Sequence, residues 1–136
     1  MLGMPPAQRT RMMHIALLMM AAALLPLVAA IACKAGGTGF DNREPRHWLS
    51  DQQGWRGRAN AAQANSFEAL PFFFAAVLFA LYNQAPREQL VVLMGAWVVV
   101  RLVYLALYVG GHGTLRSLAW LAALILNIVI LFAGVH

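Results

Sequence analysis

Four long apolar runs, separated by short polar or glycine-rich breaks, set the pattern of the chain. The first runs from Met12 to Cys33 and is long enough to cross a bilayer. His14 and Pro26 interrupt it, and Pro26 predicts a kink of the kind membrane helices tolerate when neighbours cover the freed carbonyl. The others cover Asn60 to Tyr82, Leu90 to Val109 and Leu115 to Val135. Asn83 to Glu88, with Pro86, and Gly110 to Gly113 read as tight connectors. The pattern predicts an all-α fold of four transmembrane helices in an up-down bundle, with spans at about 12–33, 60–82, 90–109 and 115–135. One integral membrane domain is expected over residues 1–136.

A cleaved secretory leader competes for the first run, because Arg9 and Arg11 precede it and small residues surround Cys33. The run is long for a leader, and three more follow it. The polar loop at 34–57 interleaves Phe40, Trp48 and Trp55 with charged residues, as a connector lying among lipid headgroups does.

Composition agrees with a lipid solvent. The chain is 61% hydrophobic and 11% charged, whereas soluble domains are about a quarter charged. The net charge is +5, but the basic residues form no run, so nucleic acid is not an expected partner. They flank the spans instead and bear on orientation. Lys34, Arg43, Arg46, Arg56, Arg58 and Arg116 fall on one side, and Arg9, Arg11 and Arg87 on the other. The richer side is expected to face the cytoplasm, with the protein in an inner membrane. Cys33 is the sole cysteine, so no intrachain disulfide is possible. It reads as a small apolar residue at a span end.

The second run breaks the apolar rule at its start. Residues 58–71, RANAAQANSFEALP, carry Arg58, Asn60, Gln63, Asn65, Ser66 and Glu68. A carboxylate set into a membrane helix is by default a candidate functional group. Arg58, Ala61, Asn65 and Glu68 lie on one helical stripe, and Arg101, Tyr104 and Tyr108 lie on another. Counting residues from the shared end puts Glu68 and Arg101 each roughly 15 Å deep at 1.5 Å per residue. An ion pair between them is expected, because either charge alone would be costly. Two readings of the pair compete. One is a structural lock between helices; the other is the floor of a polar pocket, with Gln63, Asn65, Tyr104 and Tyr108 above it and Arg116 at its mouth.

These residues resemble the MAPEG family, the membrane-associated proteins of eicosanoid and glutathione metabolism, and in particular its bacterial members. RANAAQANSFEALPFF is similar to the family's second-helix signature through Asn65, Glu68 and Pro71. FDNREPRHWL resembles a bacterial first loop, and RLVYLALYVGGHGTLRS resembles the third-helix pattern of an Arg, two Tyr and a later Arg. The resemblance covers most of the chain. It implies a homotrimer that binds glutathione between neighbouring subunits near the cytosolic face. By the same resemblance Asn65 and Glu68 hold the peptide, Gln63 adds a polar contact, and Tyr104 and Tyr108 line the site. Arg101 belongs to its inner part, and Arg116 matches the arginine associated with the thiolate. The chain departs from the pattern at Ala61, where many members carry an arginine; Arg58 stands one turn earlier on the same stripe and is expected to take its place in binding glutathione. The loop before Arg116 is also one residue longer than in some relatives.

The reading that follows is a glutathione-dependent transferase or peroxidase acting on a small hydrophobic electrophile from the lipid phase. A guanidinium near the sulfur favours the thiolate, the nucleophilic form. The alternative is a non-catalytic membrane protein of the same fold that binds lipid or a protein partner. A third reading, a small transporter with Glu68 as proton site, predicts proton-coupled flux. No metal is expected, because His14, His47, His112 and His136 lack ligand spacing. Asn127 is expected to bond across a helix interface or trimer axis, and Phe72, Phe73 and Phe74 to pack.

Overall fold

The computed structural model describes residues 3–135; His136 lies outside the described residues. Among the described residues the structure is helical and contains no strand. The elements are α1 (Pro6–Lys34), α2 (Pro45–Ser50), α3 (Gly54–Tyr82), α4 (Arg87–Val109) and α5 (Gly113–Phe132). Among the described residues α1, α3, α4 and α5 are the four helices long and apolar enough to cross a membrane. Their outer faces carry Leu17, Leu24, Val99, Leu102, Leu118 and Ile125, all exposed. So much contiguous apolar surface is stable only against lipid or another subunit.

Each long helix begins earlier than its apolar run. α1 starts at Pro6, where proline suits the first turn of a helix. α3 starts at Gly54, so the polar residues before Asn60 are helical as well. Pro26 and Pro71 both stay inside continuous helices. The loop predicted at 34–57 holds the short helix α2, which the sequence reading did not separate from its surroundings. Trp48 orders that loop. Its Nε1 donates to Thr38 O at 3.0 Å, and its ring meets Phe40 edge-on at 5.3 Å. Gly37 is required beneath it, because a Cβ there would fall 2.6 Å from the indole.

The long helices alternate in direction, joined by the loop at 35–53 and by the turns at 83–86 and 110–112. α1 packs on α3 and α4, and α5 packs on the same two helices. α3 and α4 therefore lie between α1 and α5. Small buried residues let the backbones approach closely: Ala22 and Ala29 on α1, Ala62, Ala76 and Ala80 on α3, Ala119 and Ala123 on α5. Between them Phe73 and Trp97 stack, with centroids 3.9 Å apart and planes inclined by 14°. At the end of the bundle that carries the 83–86 turn, the Arg11 guanidinium meets Glu88 at 2.9 Å, which ties α1 to α4. At the other end Cys33 is fully buried, and its Sγ–H donates to Arg56 O at 3.2 Å.

Candidate functional site

Polar side chains inside the bundle gather toward the end that carries the 35–53 loop and the α4–α5 turn. Arg101 is the central one. It is 1% exposed, and its Nη2 donates to Asn65 Oδ1 at 2.8 Å across the α3–α4 contact. Its guanidinium also lies over the Tyr104 ring, 4.2 Å from the centroid. The expected Glu68–Arg101 ion pair is not formed: among the described residues the arginine–carboxylate ion pair is Arg11–Glu88. Asn65, one turn before Glu68, takes the bond, and Glu68 stays exposed. The physical reason is rotation along the helix: residues three apart differ by about 60° around the axis.

From Arg101 a ladder of two rings with a cation at each end runs outward. Tyr104 meets Tyr108 edge-on at 5.7 Å, and the Arg116 guanidinium covers the Tyr108 ring at 4.4 Å. Each cation–ring contact is favourable because the π face is electron-rich, the more so where water is excluded. The third-helix stripe supplies three members of the ladder, and the first turn of α5 supplies the fourth.

Two cavities flank the ladder. The outer one, of about 420 Å³, is lined by Ala61, Ala64, Asn65, Glu68, Tyr104, Tyr108, Arg116, Ser117 and Trp120. The inner one, of about 280 Å³, is lined by Asn65, Glu68, Ala69, Phe72, Trp97, Arg101, Trp120, Ala123, Leu124 and Asn127. They share Asn65, Glu68 and Trp120. Each helix contributes one stripe to the inner cavity: residues 65, 68, 69 and 72 of α3, 97 and 101 of α4, and 120, 123, 124 and 127 of α5. Glu68 is thus at the junction of both cavities, a carboxylate without a salt-bridge partner.

Gln63 sits elsewhere, and Arg58 borders the ladder, sharing a small cavity of about 80 Å³ with Tyr108 and Arg116. Gln63 is two positions from Asn65, about 200° around the helix. It lines a separate groove of about 290 Å³ with Arg46, Asn60 and Phe67. Arg58 stands at the end of α4, where its Nε donates to Val109 O at 3.0 Å. It also lies against Gly111, whose φ of +79° favours a residue without Cβ. Arg58 therefore clamps a helix terminus, and Ala61 leaves the outer cavity without a second arginine on α3.

The sequence reading passed over Trp97, Trp120 and Ser117 and treated Phe72 as packing. Asn127, expected at an interface, is 95% buried on the inner cavity. The available signal was spacing, since Trp120, Ala123 and Asn127 share a stripe. Among the described residues no group of three or more metal-ligating side chains comes together.

The arrangement offers an amphipathic solute buried donors, a carboxylate and a cation at a mouth beside a lipid-facing surface. The MAPEG family model matches residues 12–136. No curated protein and no solved structure matches the chain.

Proposed function

The chain belongs to the MAPEG family, and from that premise we propose that it is a glutathione-dependent membrane transferase or peroxidase. Members of the family include glutathione-related transferases and peroxidases, and with its four apolar helices this chain is an integral membrane protein. The observation that carries the proposal is the outer cavity, whose lining includes Asn65, Glu68, Tyr104, Tyr108 and Arg116. Glutathione binds there, with the sulfur toward Arg116 and the amino-acid end toward Glu68 and Arg101. The guanidinium of Arg116 stabilises the thiolate. In conjugation the sulfur attacks an electrophilic carbon of a hydrophobic substrate. The S–C bond forms as the leaving group departs with its electron pair.

Gln63 joins this site only across a subunit boundary, which fits a homotrimer with glutathione between neighbours. In that assembly the groove of Gln63, Arg46 and Asn60 faces the adjoining subunit's cavity. The site opens toward the cytoplasm of a bacterial inner membrane, on the arginine-richer side.

A second reading has one observation in its favour. Ala61 lines the outer cavity where many relatives place an arginine, so the fold is compatible with a non-catalytic protein that binds a lipid or a partner. Glutathione titrated into the detergent-purified protein separates the two, with absorbance followed near 240 nm, where thiolates absorb. Binding with a thiolate signal that vanishes in Arg116→Ala supports the enzyme. No binding at millimolar glutathione excludes it and leaves the lipid- or partner-binding reading.

A further inference from the structure

At the end of the bundle that carries the 83–86 turn, a groove of about 370 Å³ runs between α1 and α4. It is lined by Thr10, Arg11 and His14 of α1 and by Glu88, Val91 and Val92 of α4. Its charged members stand at the edge of the apolar runs. Arg11 directly precedes the run that opens at Met12, and Glu88 falls just before the run that opens at Leu90. Both are therefore at the depth of lipid headgroups. Beneath them the wall is apolar. Val92, Gly95 and Val99 continue the Glu88 stripe down α4. Val92 and Val99 are exposed, and a Cβ at Gly95 would meet nothing within 4 Å. A lining charged at headgroup depth and apolar below it is the complement of a phospholipid. The charges narrow the choice of head. Arg11 and Glu88 meet at 2.9 Å with side chains 44% and 74% exposed, and exposed pairs are weak. A guanidinium has five N–H donors and a carboxylate several acceptor sites, so one contact leaves capacity on both. The Thr10 hydroxyl donates to Pro6 O at 3.1 Å and keeps its lone pairs as acceptors. One cation and one anion side by side suit a head that carries both signs. A purely anionic head would meet the carboxylate, and a choline head has no N–H to give it.

We infer that this groove is a binding site for one phospholipid with a phosphoethanolamine head, with Arg11 and Glu88 as its head-binding residues. The phosphate accepts hydrogen bonds from the Arg11 guanidinium, and the ammonium donates to the Glu88 carboxylate. An acyl chain runs down α4 over Val92, Gly95 and Val99. The lipid bridges α1 and α4 at the point where Arg11 and Glu88 meet. The site lies at the opposite end of the bundle from the two cavities near Arg101, and it stands whatever those cavities hold.

The test titrates the detergent-solubilised full chain with phosphatidylethanolamine, phosphatidylcholine and phosphatidylglycerol of identical acyl chains, and reads the first bound lipid by native mass spectrometry. The parent is expected to bind the ethanolamine lipid about tenfold more tightly than either of the others. Glu88→Gln removes the carboxylate at the same size. It is expected to weaken the ethanolamine lipid about tenfold and to leave the glycerol lipid bound at least as tightly as in the parent, which also controls for folding. Arg11→Gln removes the phosphate contact and is expected to weaken all three lipids about tenfold, with the unfolding midpoint near that of the parent. Equal affinity of the parent for the three lipids overturns the inference, and so does an ethanolamine preference that survives Glu88→Gln. Failure of the parent to bind any lipid overturns it as well and leaves the groove to a second copy of the chain. Soluble phosphoethanolamine is the last arm. It is expected to displace the lipid only in large excess, and displacement at equal concentration would make the groove a site for a small solute and overturn the lipid.

Discussion

The two halves of the bundle are built from the same helices and differ in what they bury. Toward the 83–86 turn, the interior is Phe73 stacked on Trp97, with Val77, Leu90, Met94 and Ile130 around them, all essentially inaccessible. Toward the 35–53 loop, α3, α4 and α5 hold Arg101, Asn65 and Asn127 and line two half-open cavities. The apolar half is close-packed. The polar half is hollow and lined with groups that have unmet bonding capacity. Trp97 belongs to both, since its ring closes the packed half while its N–H is unmet beside the inner cavity. The contrast shows a division of work within single helices: one half holds the bundle together, and the other keeps room and polarity for a ligand. Packing and hydrogen bonds hold helices together in a membrane, because lipid tails are as apolar as leucine. The packed half supplies that attraction without charges.

The largest effect that sharpens this contrast belongs to the packed half. Phe73→Ala empties one side of the aromatic stack and is expected to destabilise the fold by about 3–5 kcal/mol. Thermal unfolding in detergent reads it, and the fraction that remains folded should bind glutathione as the parent does. Loss of binding at unchanged stability would erase the division. In the polar half, Arg116→Ala is expected to lower the conjugation rate about 100-fold, in keeping with loss of one preorganised charge-stabilising group. Its unfolding midpoint should stay near that of the parent, and a large drop would make Arg116 a structural residue.

The Asn65–Arg101 bond tests the contrast from inside. Asn65→Leu leaves a buried guanidinium short of a partner and is expected to cost about 1–3 kcal/mol. Adding Arg101→Met removes the stranded charge as well and should recover most of that loss, as replacing a buried polar pair by apolar groups often does. The double variant should bind no glutathione. Additive losses in the cycle would mean that the two side chains are not coupled. The smallest effect is at the helix end. Arg58→Ala removes the bond to Val109 O and a cation near the C-terminus of α4, a loss of about 1 kcal/mol. A larger loss of affinity than of stability would put Arg58 in the ligand site after all.

Much of the fold was legible because lipid imposes a simple rule. A run of about 20 apolar residues between polar breaks has few other ways to exist. The Arg101, Tyr104 and Tyr108 stripe was also legible, since helical spacing alone puts them on one face. The partner of Arg101 was not. Depth counting matched Glu68 to Arg101 along the membrane normal, but it says little about rotation around each axis, and rotation selected Asn65. Gln63 illustrates the same limit, because it stands two residues from Asn65 and faces a different groove. The aromatic and amide residues of the inner cavity were hidden for another reason. Trp97, Trp120 and Asn127 sit in strongly apolar runs, where a tryptophan reads as packing and a lone asparagine as an interface contact.

By itself, then, the sequence determined the solvent, the helices and the shared end at which the polar residues collect, because these depend on composition and on distance along one axis. The tertiary structure decided which polar groups touch. It moved Arg58 to a helix terminus, gave Arg101 to Asn65, and set Trp97, Arg101 and Asn127 around one cavity. Those outcomes depend on how three helices are rotated and how closely they approach. Many side chains settle rotation and approach jointly, through packing that no single helical stripe records.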